Sequence, residues 1–113
     1  MVSNTSKELP HFVRKQVALE SQRLVDALKP AQIVAELYGH RLLCVELLPH
    51  PAREGEVLRS PFALLDFYDQ AWHLLFRTTQ GHWQPVPEQA PDLNLSAKVQ
   101  IIIDDPDHLF WRA

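Results

Sequence analysis

Apolar residues recur along the chain with two different periods. Between Pro10 and Leu28, Val13, Val17, Leu24 and Leu28 return at spacings of four, seven and four, the repeat of a helix that buries one stripe. The spacing predicts a first helix over residues 10–28. Proline suits its first turn because the missing N–H has no partner there. Thr5 with Glu8 offers an earlier start through a capping box, and Pro30 disfavours helical geometry at Lys29. From residue 32 the period shortens. Residues 32–37 and 41–48 are rich in Ile, Val and Leu and flank Gly39-His40, where glycine supplies the positive φ of a tight turn. With Tyr38 opposite Arg41, this hairpin (32–48) puts Ile33, Ala35, Leu37, Leu42, Cys44 and Leu48 on one face. Val34, Tyr38, Leu43, Val45 and Leu47 share the other. Both faces are apolar, whereas a hairpin with one wet face alternates apolar and polar positions.

Residues 49–60 carry prolines, Gly55 and charged side chains without an apolar period, and read as a loop. Strands follow over residues 62–86. Phe62–Tyr68 and Ala71–Thr78 are joined at Asp69-Gln70, so pairing Tyr68 with Ala71 gathers Ala63, Leu65, Phe67, Trp72, Leu74 and Phe76 on one face. Phe62, Leu64, Asp66, Tyr68, His73, Leu75 and Arg77 fall on the opposite face. A fifth strand around His82–Val86 is restricted to an edge by Pro85 and Pro87. Trp83 stacks on Arg77 in one register and turns away from it in the next, and the sequence does not choose. After Pro91, Leu93, Ala97 and Ile101 keep helical spacing and predict a helix over 92–103, with Asp92 or Ser96 as cap. The β-branched cluster Val99, Ile101, Ile102, Ile103 suits a strand equally well. Asp105-Pro106 ends the element, and the tail 105–113, with Leu109, Phe110 and Trp111, is too apolar to remain undocked. The resulting class is α+β, an antiparallel β-meander of about five strands flanked by an N-terminal and a C-terminal helix, in one domain over 1–113.

Composition adds constraints. With 113 residues, 46% of them apolar and 22% charged, the chain falls among folded globules rather than disordered chains. No apolar run approaches the roughly 18 residues of a spanning helix, so no membrane partner is expected. Met1–Glu8 lacks the features of a secretory signal and Cys44 is the single cysteine, both of which fit a reducing cytoplasm. Residues 1–60 hold eight basic and seven acidic groups, residues 61–113 three and seven. An acidic carboxyl half without a basic stripe argues against nucleic acid.

Chemistry is sparse. Asp66 and His73 fall opposite one another, the arrangement that orients a general base, and Arg77 lies on the same face. These three are the candidate ligand-binding residues of a pocket beside the 49–60 loop. No nucleophile accompanies them, so no catalytic residue is assigned and enzymatic activity stays open. Asp104, Asp105 and Asp107 match no calcium loop and read as a solvated helix end. The six histidines and one cysteine lack zinc spacing, and Gly39, Gly55 and Gly81 are too dispersed for a phosphate loop, so neither metal nor cofactor is expected. Cys44, between Leu43 and Val45, reads as a buried, inert thiol.

Three short segments, Arg59-Ser60-Pro61, Gly81-His82-Trp83 and the closing Asp105-Pro106-Asp107-His108-Leu109-Phe110-Trp111, together with the helix, meander, helix order, resemble a family of short bacterial proteins known only as a domain of unknown function. The resemblance covers most of the chain after Pro30. Pro49-His50-Pro51 lacks a tryptophan expected there, and Arg112 stands where a glycine often ends the chain. The resemblance implies a bacterial cytoplasmic setting and carries over neither a reaction nor functional residues. The remaining functional lead is the surplus of apolar surface on the first hairpin. Two helices do not cover both sides of such a sheet, which points to a non-catalytic protein-interaction module, buried in a homo-oligomer or against a protein partner.

Overall fold

The first apolar stripe becomes α1 (His11–Ala27) in the computed structural model, which describes residues 9–111. The Pro10 carbonyl accepts from the N–H groups of Val13 and Arg14, and Val13, Val17 and Leu24 form the buried edge. The Thr5–Glu8 alternative lies outside the described residues. Beyond Leu28 the chain turns through the cis Lys29-Pro30 peptide into the sheet.

Five antiparallel strands follow in spatial order of sequence: β1 (Gln32–Tyr38), β2 (Arg41–Pro49), β3 (Val57–Tyr68), β4 (Ala71–Arg77) and β5 (Trp83–Pro85). Tyr38 pairs with Arg41 and Tyr68 with Ala71, as the spacing predicts. Gly39 takes φ 61°, and Asp69 and Gln70 take φ 53° and 60°, the paired left-handed geometry that suits a two-residue hairpin. Trp83 pairs with Arg77 and settles the register left open above.

Two strand expectations need correction. The expected loop 49–60 shrinks to 50–56, because Leu47, Leu48 and Pro49 pair with Arg59, Leu58 and Val57. Side chains 57–59 face water, so the strand there is dictated by its β2 partner and leaves no apolar pattern. The β2–β3 ladder then shifts between Cys44 and Val45, whose partners are Ala63 and Pro61. Such an irregularity accommodates a proline without an N–H in a central strand. It also turns Phe62, expected on the outer face, into the core beside Ala63.

The last element is helical: α2 (Leu95–Asp104), starting three residues later than expected. Leu95, Val99 and Ile102 bury one stripe at helical spacing, which overrides the β-branching of Val99 and Ile102. Asn94 is the cap, its Oδ1 accepting from Ala97 N at 3.1 Å. Asp92 instead bridges Trp72 on β4 through backbone bonds of 2.7 and 3.2 Å. Lys98, buried, donates from Nζ to the Ala90 carbonyl and ties this connection to α2. Burial lowers its pKa, and Asp92 opposes that shift.

Both helices lie on the same side. Leu24 of α1 and Val99 of α2 join Leu42, Leu65, Trp72 and Leu74 in one core. Arg23 clasps the helices together, donating to Gln100 Oε1 at 2.7 Å, to the Ser96 carbonyl at 2.8 Å and to Glu20 at 2.8 Å. The architecture is α+β with a one-sided sheet. Gln70→Gly should raise stability by about 1 kcal/mol, because glycine removes the strain of a side chain at positive φ. A urea midpoint moved upward at unchanged slope checks it; a lowered midpoint would contradict the turn geometry.

Candidate functional site

Strand alternation sends every second side chain to the face that carries no helix among the described residues. The pairing stacks three rows there. Leu43, Leu64 and Leu75 form the middle row, with Glu36 at one end and Pro85 at the other. Val34, Val45 and Pro61 form the row beside it. Val34, Leu43, Leu64 and Leu75 are half-buried, and Val45, central in the sheet, is fully buried yet no part of the helix-covered core.

The third row is polar: Tyr38, Arg41, Asp66, His73. Asp66 and His73 do stand opposite one another, but the carboxylate turns elsewhere. His40, from the β1–β2 turn, donates from Nδ1 to Asp66 Oδ1 at 2.7 Å, and Arg41 Nε stands 3.5 Å from Oδ2. His73 donates from Nε2 to the Tyr68 carbonyl at 3.2 Å, its ring stacked on that of Tyr68 at 3.6 Å and 2°. The expected Asp66–His73 pair is therefore an Asp66–His40 pair. The turn brings His40 over β3, as the bond from Phe67 N to the His40 carbonyl records. Arg77 sits four residues along β4 from His73, about 13 Å away in an extended strand, with its guanidinium 5.7 Å from the Trp83 ring centre. The three candidate residues thus do not gather around one point. Asp66 orients the His40 imidazole, yet among the described residues no hydroxyl or thiol is recorded bonded to either ring. Cys44 lies on the opposite, core face, its thiol pushed up to about 12 by burial.

On the same face, Arg59 of β3, opposite Leu47, reaches across β2 to Glu36 of β1 through bonds of 2.8 and 2.5 Å, so this ion pair lies over the sheet beside the fully buried Val45. These bonds, then that from the Tyr38 hydroxyl, hold the Glu36 carboxyl down at about 2.

Sequence reasoning missed the closing segment's anchor. Asp105, expected in a solvated acidic cluster, is buried and caps α2 in the left-handed conformation at φ 43°. Its carboxylate accepts from the backbone N–H of Leu109 at 2.7 Å, Phe110 at 3.1 Å and Trp111 at 2.8 Å. Phe110 is thereby fixed in the core and Trp111 against Phe62, ring centres 4.5 Å apart. The available signal was an aspartate just before an apolar tail that had to dock. Among the described residues no helix is long and apolar enough to cross a membrane, and no three His, Cys, Asp or Glu side chains gather as a metal site.

Among the described residues, the one-sided meander and its carboxylate-anchored tail bring no recognised catalytic constellation together. The profile of a domain of unknown function, DUF3024, matches residues 4–112, and the chain belongs to that family. The match extends the likeness seen after Pro30 through the first helix. No curated protein and no solved structure matches the chain.

Two outcomes follow from this geometry. Because the Glu36 carboxyl is depressed in the folded protein, its contribution to stability is present above the ordinary carboxylate range and lost as pH falls through about 2. A carboxyl NMR titration should find its midpoint near 2, rising in Arg59→Gln toward the ordinary range while the Tyr38 hydroxyl still holds it somewhat low; an ordinary midpoint in the unmutated chain would contradict the ion pair. Asp105→Ala, which orphans three backbone N–H groups, should cost about 2–4 kcal/mol by urea unfolding and shift Trp111 emission to the red. Unchanged emission would mean that the carboxylate does not hold the segment.

Proposed function

We propose that the protein is a non-catalytic interaction module that pairs with a second copy of itself through the helix-free face of its sheet. The observation that carries this reading is the placement of both helices on the opposite face, which leaves Val34, Leu43, Leu64 and Leu75 without a covering layer among the described residues. Four strands about 4.8 Å apart and two apolar rows about 6.8 Å apart give that patch a plan area of roughly 260 Å², bordered by the polar row. What favours pairing is the placement of that patch, a contiguous apolar strip in the middle of a sheet face that no helix covers among the described residues.

The face is also complementary to itself. A two-fold axis running along the strands between β2 and β3 sets Leu43 over Leu64 of the other copy, and Leu64 over Leu43. The same rotation sets Arg41 over the second copy's Asp66 and Asp66 over its Arg41. Two sheets packed at about 10 Å interdigitate such side chains, and aligned sheets cross at about 30°. The reciprocal charges then fix the register, a role electrostatics plays better than adding affinity. The single, buried and unpaired Cys44 fits a reducing compartment.

Sedimentation equilibrium at micromolar concentration should return twice the 13.0 kDa chain mass. Leu64→Glu should give the single chain mass with the core intact by circular dichroism. Arg41→Glu, at an exposed position, should weaken pairing about tenfold or more, and Arg41→Glu with Asp66→Arg should restore it. A native chain that sediments at 13.0 kDa throughout would overturn the reading.

A further inference from the structure

We propose a second surface, independent of the paired face: the free edge of β1 takes up an extended peptide segment of another protein and adds it to the sheet as a further antiparallel strand. The pairing pattern shows which backbone groups that edge offers. The His40 carbonyl accepts from Phe67 N of β3, so the alternation along β2 turns the N–H and C=O groups of Arg41 toward β1 and its partner Tyr38. Tyr38, Glu36, Val34 and Gln32 therefore bond to β2, and Ile33, Ala35 and Leu37 direct their N–H and C=O groups away from it. Among the described residues none supplies a partner for these six groups. Only another strand satisfies such a row together, and an antiparallel one does so best.

The two edges of the sheet differ in their defences. β5 has three residues, contains Pro85 and is followed by Pro87, the devices that block strand addition. β1 has seven residues without proline, lysine or a bulge, and its one charge, Glu36, is bound by Arg59. A mostly apolar cleft of about 590 Å³ opens where β1 begins, with Val25, Ala31, Ile33 and Leu47 in its wall. Leu47 lies one row beyond those proposed to pair. A peptide residue opposite Ile33 carries its side chain on the same face as Ile33, beside this cleft, so an apolar side chain suits it.

The first helix decides what kind of chain fits. α1 packs against β1. A second copy joined through the same edge would bring two such helices over strands about 4.8 Å apart, whereas packed helices need about 8–10 Å between their axes. A bare strand brings no helix and is free of that conflict. The partner is thus an extended segment with apolar side chains at alternate positions and no proline among the residues that bond to β1.

The test uses the full chain and the end-capped peptide Lys-Thr-Val-Thr-Val-Thr-Val-Thr-Lys, whose valines face Ile33, Ala35 and Leu37, with amide hydrogen exchange along β1 followed by NMR. In the chain alone the N–H groups of Ile33, Ala35 and Leu37 should exchange at least tenfold faster than those of Val34 and Glu36, and the peptide should slow them tenfold or more. Methylating the valine amides removes the donors to β1 and should abolish the effect; methylating the threonine amides between the valines should leave it. Ala35→Pro deletes one outward N–H without touching the β2 ladder and should weaken binding tenfold or more, and the methylated peptides serve if that variant unfolds. The proposal fails if the peptide protects no edge amide by about 1 mM, or if the valine-methylated peptide acts as its parent does. It fails too if rising protein concentration alone protects the edge, the sign of a second copy there. Leu64→Glu, which separates the paired chains, should show the same peptide protection, so either proposal can fail without the other.

Discussion

The clasp between the two helices governs the rest of the structure. Arg23 of α1 reaches Gln100 and Ser96 of α2, and beneath it Leu24 and Val99 enter one core. A meander has connections too short to carry a helix between its strands, so helices attach only at its two ends. Once those two are bound to each other, they must share a side. The sheet is then buried on the face they cover and carries no helix among the described residues on the other. Leu42, Leu65 and Leu74 lie under helices, while their chain neighbours Leu43, Leu64 and Leu75 do not.

Much of this was legible in the sequence, and the reason is local. Gly39-His40 and Asp69-Gln70 fix the hairpin registers, and a register fixes which residues share a face, because the side-chain period of a strand is two. Both apolar faces of the first hairpin were therefore readable from residues alone. The stretch 57–59 was not, since its side chains are solvated and only its backbone pairing with β2 makes it a strand. Phe62 was misplaced for a related cause: a shift of one residue in a ladder leaves no trace in apolar periodicity.

The site was less legible than the fold. Asp66 and His73 are opposite one another as expected, but a cross-strand register says nothing about a third residue arriving from a turn, and His40 takes the carboxylate. Asp105 hides for a different reason. In sequence it is one of three neighbouring aspartates, and only the docking of Phe110 and Trp111 reveals that its carboxylate faces inward to meet their backbone N–H groups. Polar groups that serve tertiary structure carry no period, so their partners become visible only when the chain is folded.

In this member of a domain-of-unknown-function family, the proposed pairing turns on the difference between alternate leucines. Methyl NMR spectra recorded from millimolar to micromolar protein test it most directly, since each outward leucine has an inward neighbour as its control. The account predicts that Leu43, Leu64 and Leu75 methyl signals move with dilution while Leu42, Leu65 and Leu74 stay fixed. Signals that stay fixed at all six residues, together with a mass of 13.0 kDa across the range, would contradict it.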